Sequence, residues 1–302
     1  MAVLKEEISS WFMNLQNQIC DGLEKLDSKS KFREDIWERE GGGGGKTRIL
    51  QNGRLFEKGG VNYSAVYGSA PEFLVKQLNA ESGAQFYATG ISIVIHPNNP
   101  HVPIIHMNVR YFEMSGGVHW FGGGIDLTPH YVNQKDSHFF HSQLKETCDK
   151  HHIAFYPEFK EWADNYFYIK HRKETRGIGG IFFDQLRDNE NFSMDDRWSF
   201  VKNVGLTFLP TYTELVKRNE DRTFSETEKK WQMLRRGRYV EFNLVYDRGT
   251  SFGLKTDGRT ESILMSLPPT VRFEYDYKPQ PGSEEDKLWQ VCLQPKEWIN
   301  AK

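Results

Sequence analysis

Three cysteines in 302 residues, Cys20, Cys148 and Cys292, are too few and too scattered to build a disulfide framework. With no CxxC pair they also offer no thiolate metal site, and the expected compartment is a reducing one. No apolar run approaches the length of a membrane span. The opening MAVLKEEISSWF puts Lys5, Glu6 and Glu7 where a signal peptide needs its apolar region, and it lacks the arginine-rich, acid-poor character of a transit peptide. A cytoplasmic location is expected. Charge of one sign is missing too: 39 basic against 41 acidic side chains leave a formal net charge of -2, which argues against nucleic acid or an anionic membrane as partner. An anionic ligand would have to be held by local arginines. Aliphatic content is modest, so aromatic residues, 14% of the chain, must supply much of the core.

What is present is most informative from Ile91 to Tyr111. Ile91, Ile93 and Ile95 alternate with Ser92, Val94 and His96; after Pro97-Asn98-Asn99-Pro100, Ile105, Met107 and Val109 alternate with His106, Asn108 and Arg110. Paired as a hairpin, the two segments place Ser92, His96, His106, Asn108 and Arg110 on one face and the isoleucines and Met107 on the other. A solvated sheet face is usually rich in Lys, Glu and Thr, whereas this row consists of hydrogen-bond donors and proton-transfer groups, which points to a ligand.

Around the hairpin, Leu4, Ile8, Trp11, Phe12, Leu15, Ile19, Leu23 and Leu26 recur at helical spacing, predicting an N-terminal helix within residues 1–30 with Cys20 packed on its flank. The charged segment Lys29 to Glu40 reads as helix-like and leads into a glycine-rich loop, 41–46, expected to be flexible or a lid. Strand character runs from Thr47 to Val66, and a helical turn or two from Pro71 to Leu78. Helices are predicted from Ser137 to His151, from Pro157 to Lys173, and from Ser193 to Arg218 with Pro210 kinking or interrupting the last. Arg236 to Tyr246, Ser251 to Thr256 and Thr260 to Leu267 read as strands joined by turns at Asp247-Arg248-Gly249-Thr250 and Asp257-Gly258-Arg259. Lys278 to Lys287 is polar and expected at the surface. With no repeat and no long linker, a single catalytic domain spanning 1–302 is expected, of α+β class with a largely antiparallel sheet flanked by helices.

Two motifs tempt. GGGGGKT at Gly41 to Thr47 invites a phosphate loop, but GxxxxGK[ST] needs glycine at position 40 and finds Glu40, and no buried strand precedes it. Among ten histidines, His138 and His141 lie three apart on one predicted helix and could meet His96 and His106 at a metal, yet there is no HExxH and no compact acidic pairing. Arginine with carboxylate is the stronger pattern: Arg110 on the hairpin, and Arg248 and Arg259 beside Asp247 and Asp257 in turns, suit a ligand with several carboxylates. Asp247-Arg248 taken alone fits a simple turn cap.

Together these segments resemble the oxygen-dependent coproporphyrinogen III oxidase family. The blocks that carry it are Gly41 to Leu50, FEKGGVNYS at Phe56 to Ser64, ISIVIHPNNPHVPIIHMNVRYFE at Ile91 to Glu113, and WFGGGIDLTPHY at Trp120 to Tyr131. FKEWADNYFYIKHRKETRGIGGIFFD at Phe159 to Asp184 and GRYVEFNLVYDRGTSFGLKTDGRTESILMSLPP at Gly237 to Pro269 complete them. The resemblance implies a flat seven-stranded antiparallel sheet between helices, a homodimer with 239–274 at the interface, and oxidative decarboxylation of two propionates of coproporphyrinogen III to vinyl groups, giving protoporphyrinogen IX in haem biosynthesis. Dioxygen is the implied oxidant, with no organic cofactor, because a deprotonated electron-rich pyrrole can itself react with dioxygen. By matching positions, Ser92, Asn108, Val109, Arg110, Asp257, Gly258 and Arg259 would bind substrate, with Arg248 on a propionate. His106 would be the proton donor, Asp247 the acceptor of pyrrole N–H groups, and Asp126 a second carboxylate. In some bacterial relatives the positions of His96, His106, His141 and His171 are assigned as metal ligands, which would make them ligands of a divalent ion such as manganese here. One departure stands out: many relatives have Gly-Gly-Arg where this chain has Asp257-Gly258-Arg259, so the Asp257 side chain is expected to point away from substrate. The alternatives are a histidine-ligated metal-dependent oxygenase or hydrolase and a non-catalytic tetrapyrrole carrier.

Overall fold

The computed structural model describes residues 4–256 and 258–299. Helix α1 (Lys5–Asp27) is followed by strands β1 (Arg33–Glu38), β2 (Gly43–Gln51) and β3 (Phe56–Ser69), helix α2 (Glu72–Leu78), and strands β4 (Gln85–Pro97), β5 (Ile104–Met114) and β6 (Val118–Thr128). Helices α3 (Gln134–Asp149) and α4 (Phe155–Tyr166), the short strands β7 (Tyr168–Ile169) and β8 (Glu174–Thr175), and strand β9 (Gly180–Leu186) come next. The chain ends in helices α5 (Met194–Asn219), α6 (Glu226–Val245), α7 (Arg248–Lys255), α8 (Thr260–Leu264) and α9 (Glu284–Leu293). The class is α+β, as expected. Seven antiparallel strands in the order β1-β2-β3-β4-β5-β6-β9 form one sheet.

Alternation decides what each face does. Ile91, Ile93, Ile95, Ile105, Met107 and Val109 are all fully buried on one face, in a core closed by Ile8, Phe12, Leu15 and Ile19 of α1 and Val201, Val204 and Phe208 of α5. The other face carries the polar row. Helix α4 wraps the β9 edge: Phe159 meets Phe183 on the apolar side, while Tyr166 stacks on Phe182 on the polar side, 4.0 Å between centroids and 13° between planes.

Several sequence-based expectations need correction. Residues 236–245, 251–255 and 260–264 are helical, not strands. Helix α6 begins at a capping box in which Ser225 and Glu228 satisfy each other's backbone N–H groups, and it buries Trp231, Leu234, Tyr239 and Phe242 at helical spacing. A window opening at Arg236 misses the cap and half of that stripe. Helix α4 stops at Tyr166, short of Lys173, where a two-stranded hairpin takes over. Helix α5 runs unbroken through Pro210, because the carbonyl that loses its partner belongs to solvent-exposed Leu206 and can be hydrated. The charged segment before the glycines is edge strand β1, whose charges discourage pairing with another chain. Of the glycine run, only Gly41 and Gly42 form the turn. Gly43, Gly44 and Gly45 belong to β2, and a Cβ on Gly44 would lie 2.2 Å from the Trp37 carbonyl. The glycines therefore let two strands close tightly and form neither a lid nor a phosphate loop.

Candidate active site

Strand register builds the site in three parallel rows across the polar face. The central row runs Asp35, Thr47, Asn62, Ser92, Asn108, Gly124 and Phe182, one residue from each strand in turn. On one side lie Ser64, Gly90, Arg110 and Gly122; on the other lie Gly60, Val94, His106 and Asp126. Gly90, Gly122 and Gly124 surround Arg110 and Asn108, so the floor there lacks side chains and is flat. The aromatic wall of Phe182, Tyr166, Phe167 and Phe242 bounds it along β9.

His106 is anchored from beneath. Its Nδ1 donates to Asp126 Oδ1 at 2.8 Å, since an ionised carboxylate can only accept. Arg176, in the connection from β8 to β9, grips the same carboxylate with Nη2 to Oδ1 at 2.7 Å and Nε to Oδ2 at 3.1 Å. The third arm of Arg176 donates to Asn243 Oδ1 of α6 at 2.7 Å, and its guanidinium carbon lies 4.4–4.7 Å from the rings of Phe167, Tyr239 and Phe242. Burial alone would push the Asp126 carboxyl up, but Arg176 and the His106 bond outweigh it and hold the group below the usual carboxylate range. The His106 ring is one-fifth exposed, at 20%, and its Nε2 has no partner among the described residues, so this nitrogen is the one available to a ligand.

Arg110 is fixed from two sides, by Asn108 Oδ1 and by Asp184 Oδ1 of β9, each at 2.8 Å. Ser92, Asn108 and Arg110 are therefore brought together, as expected from the alternation. Val109 is not one of this group, because its side chain lies in the core on the opposite face.

Helices α7 and α8 lie over the polar face. Asp247 is the N-cap of α7: Oδ2 accepts from Thr250 N at 2.7 Å and Thr250 Oγ1 at 2.8 Å, while Oδ1 accepts from Tyr166 Oη at 3.0 Å. One lone-pair direction of Oδ1 remains for a further donor. Burial and the Asp247 charge push the Tyr166 phenol up, which keeps it a donor. Arg248 is exposed, with its guanidinium 5.5 Å from the Tyr166 ring centre. Arg259, N-cap of α8, pairs with Asp35 of β1. Ser262 ties α8 to the floor through Thr47 Oγ1 at 2.6 Å and Asn62 Nδ2 at 2.7 Å. Gly258 is half-buried against the Gly253 carbonyl, and Asp257 lies outside the described residues.

The four histidines of the expected metal set do not fit that role. His96 is buried, with Nε2 bonded to the Ser266 carbonyl at 2.8 Å; both nitrogens of His141 are engaged, by Tyr156 Oη and the Ile178 carbonyl. His171 lies at the surface between Tyr246 Oη and Glu241, and His106 is held by Asp126. Among the described residues no group of three or more His, Cys, Asp or Glu side chains could hold a metal ion. Burial pushes the His96 and His141 pKa down, His141 to about 3, so both are neutral packing groups.

A family model described as coproporphyrinogen III oxidase matches residues 7–298, nearly the whole chain and every site residue above. The chain belongs to the coproporphyrinogen III oxidase family. Among its relatives is coproporphyrinogen-III oxidase 1, chloroplastic, of Arabidopsis thaliana, 50% identical over 94% of this chain and 76% of the relative. The oxygen-dependent coproporphyrinogen-III oxidase of Prochlorococcus marinus (strain MIT 9312) is 44% identical over 99% and 94%. The oxygen-dependent chloroplastic enzyme of Glycine max is 50% identical over 94% and 77%. Membership makes the chain an oxidoreductase.

The fold brings to the site four further groups that were not among the expected site residues. Arg176, Asp184 and Tyr166 all sit within the block Phe159 to Asp184, and Asp35 lies in the charged segment before the glycines. An arginine followed by seven uncharged residues, Gly177 to Phe183, is a signal that could have exposed Arg176, since a charge leading into apolar strand formers needs a counter-charge when buried.

Proposed function

We propose that this chain converts coproporphyrinogen III to protoporphyrinogen IX by oxidative decarboxylation of two propionates, with dioxygen taking the electrons. The carrying observation is the flat glycine floor with Ser92, Asn108 and Arg110 on it, beside a histidine whose free Nε2 is backed by a buried Asp126–Arg176 pair. A flat macrocycle fits such a floor, and carboxylate arms suit Arg110, Arg248 and Arg259 at its margins. Each propionate loses carbon dioxide and two electrons with a β-hydrogen, His106 supplies the proton taken up as dioxygen is reduced to hydrogen peroxide, and Asp126 acts through His106, being only 1% exposed with both oxygens hydrogen-bonded. Asp247 accepts a pyrrole N–H at the free position of Oδ1. Deprotonation makes the pyrrole electron-rich enough to meet dioxygen, and the aromatic wall keeps water from the reacting carbons. No step is assigned to a metal, because His96, His141 and His171 are already bonded elsewhere and no group of three or more possible ligands comes together among the described residues.

A homodimer through 239–274 is part of the same reading: Leu244, Val245, Phe252, Leu254 and Phe273 in this region are exposed, while Tyr239 and Phe242 belong to the core. A reducing, cytoplasmic compartment accords with three buried free cysteines. No helix among the described residues is long and apolar enough to cross a membrane.

The test is product formation from coproporphyrinogen III by purified, metal-stripped protein in air and under argon. Conversion in air only is expected. Binding without conversion, even after metal is restored, would leave the carrier reading in its place.

A further inference from the structure

Two of the three arginines assigned to substrate carboxylates already hold a carboxylate of the protein, and the two pairs differ in kind. The Arg110–Asp184 pair is braced: Arg110 also binds Asn108, and Asp184 Oδ1 also accepts the Gln185 N–H at 3.0 Å. The Arg259–Asp35 pair has no brace. Neither side chain has another hydrogen-bond partner among the described residues, and both are partly open to water, 31% exposed for Arg259 and 27% for Asp35. The pair joins edge strand β1 to the N-cap of α8, at the end of the row of polar residues that crosses the floor.

We propose that Asp35 is an exchangeable stand-in for a substrate carboxylate. It holds Arg259 in the empty site and is displaced when a propionate arrives. The inference rests on the function proposed above, in which Arg259 receives a propionate. The exchange needs only side-chain rotation, because α8 stays docked through Ser262 to Thr47 and Asn62 on the neighbouring strands. Released Asp35 can be rehydrated where it stands. Two consequences follow for selectivity. A ligand whose arm at that place is uncharged cannot make the exchange, and Arg259 is never left as a bare cation to attract unrelated anions. Affinity for the correct ligand is lowered by the worth of a partly exposed ion pair, which corresponds to a roughly two- to fivefold effect.

The experiment uses full-length protein and coproporphyrin III, the oxidised porphyrin, which binds without turning over, with its fluorescence as the readout. Asp35→Asn is expected to tighten binding about two- to fivefold and to lower KM for coproporphyrinogen III. Arg259→Ala is expected to weaken binding, and adding Asp35→Asn to it to change nothing further. The tetramethyl ester should bind wild type and Asp35→Asn alike. Equal or weaker binding of coproporphyrin III by Asp35→Asn overturns the proposal and makes Asp35 an orienting partner of Arg259. Tightening that persists with Arg259→Ala, or that extends to the ester, overturns it as well. Melting curves, with Asp35→Ser as a second variant, separate these results from misfolding. If wild type yields no protoporphyrinogen, the activity reading fails, yet the binding cycle still decides the exchange.

Discussion

Replacing Arg176 by Met removes the cation that makes a buried carboxylate tolerable at Asp126. Both side chains are essentially inaccessible, 2% and 1% exposed, so water cannot take over the lost bonds. The cation–π contacts to Phe167, Tyr239 and Phe242 contribute on the order of 1 kcal/mol each, and Met recovers part of that through its own packing. The stranded charge is the larger effect: breaking a buried pair by removing one partner costs about 3–5 kcal/mol. Arg176→Met should therefore lose about 3–5 kcal/mol in urea denaturation at pH 7, and Arg176→Met with Asp126→Asn should recover part of it. The pH dependence has a definite sign. In wild type the Asp126 pKa is lowered, so its stabilisation is present above the ordinary carboxylate pKa and is lost as pH falls through the folded value. With Arg176 gone, burial raises that pKa, and stability is lost as pH rises through the carboxylate range. The gap between variant and wild type must narrow in acid. A loss under about 1 kcal/mol at pH 7, or a gap that does not narrow, would refute the reasoning.

Other expectations are shorter to state. Asp247→Ala removes the cap of α7, worth about 1 kcal/mol, along with the proposed acceptor; Asp247→Asn keeps the cap, so wild-type kcat in that variant would reduce Asp247 to a capping role. Gly122→Ala puts a methyl 2.6 Å from Asp184 Oδ1 and 3.0 Å from Arg110 Nε, which should raise KM by displacing the pair while leaving the melting temperature close to wild type. Burial keeps His96, His130 and His141 neutral in the fold, whereas their unfolded counterparts charge below about pH 6.5. Stability should thus fall on acidification from pH 7 to 5, by about 2 kcal/mol per histidine. His141→Gln should show a smaller difference in urea midpoint between the two pH values, and an unchanged difference would count against its neutrality.

The hairpin from Ile91 to Tyr111 was legible because period two exposes both of its faces to inspection: Ile91, Ile93, Ile95 and Ile105 are in the core, and Ser92, His106, Asn108 and Arg110 face the site, while His96 is packed against the Ser266 carbonyl. Helix α1 was legible for the same reason at helical period. Helix α6 was not, since Val240-Glu241-Phe242-Asn243-Leu244 alternates like a strand and only tertiary burial of Trp231, Tyr239 and Phe242 reveals the helical stripe. The pairing of Arg176 with Asp126, fifty positions apart, depends on the return of β9 beside β6, which no local pattern encodes. Asp35 looked like one charge among many, because its partner lies more than two hundred residues later in the chain.

The reactive floor is a meander of consecutive strands, while the groups that cover it arrive from α6, α7 and α8 much later in synthesis. For a growing chain this order is protective. The apolar side of β3 and β4 meets α1, which is made first, and that of β5 and β6 meets α5, which is made before α6. The side left waiting for the late helices is the one bearing Ser92, Asn108, Arg110 and Asn62, which water satisfies. Once α1 and α5 are in place, the sheet that still waits for α6 to α8 offers passing chains little to stick to, so the same polarity that serves substrate guards the protein during the last stage of its assembly.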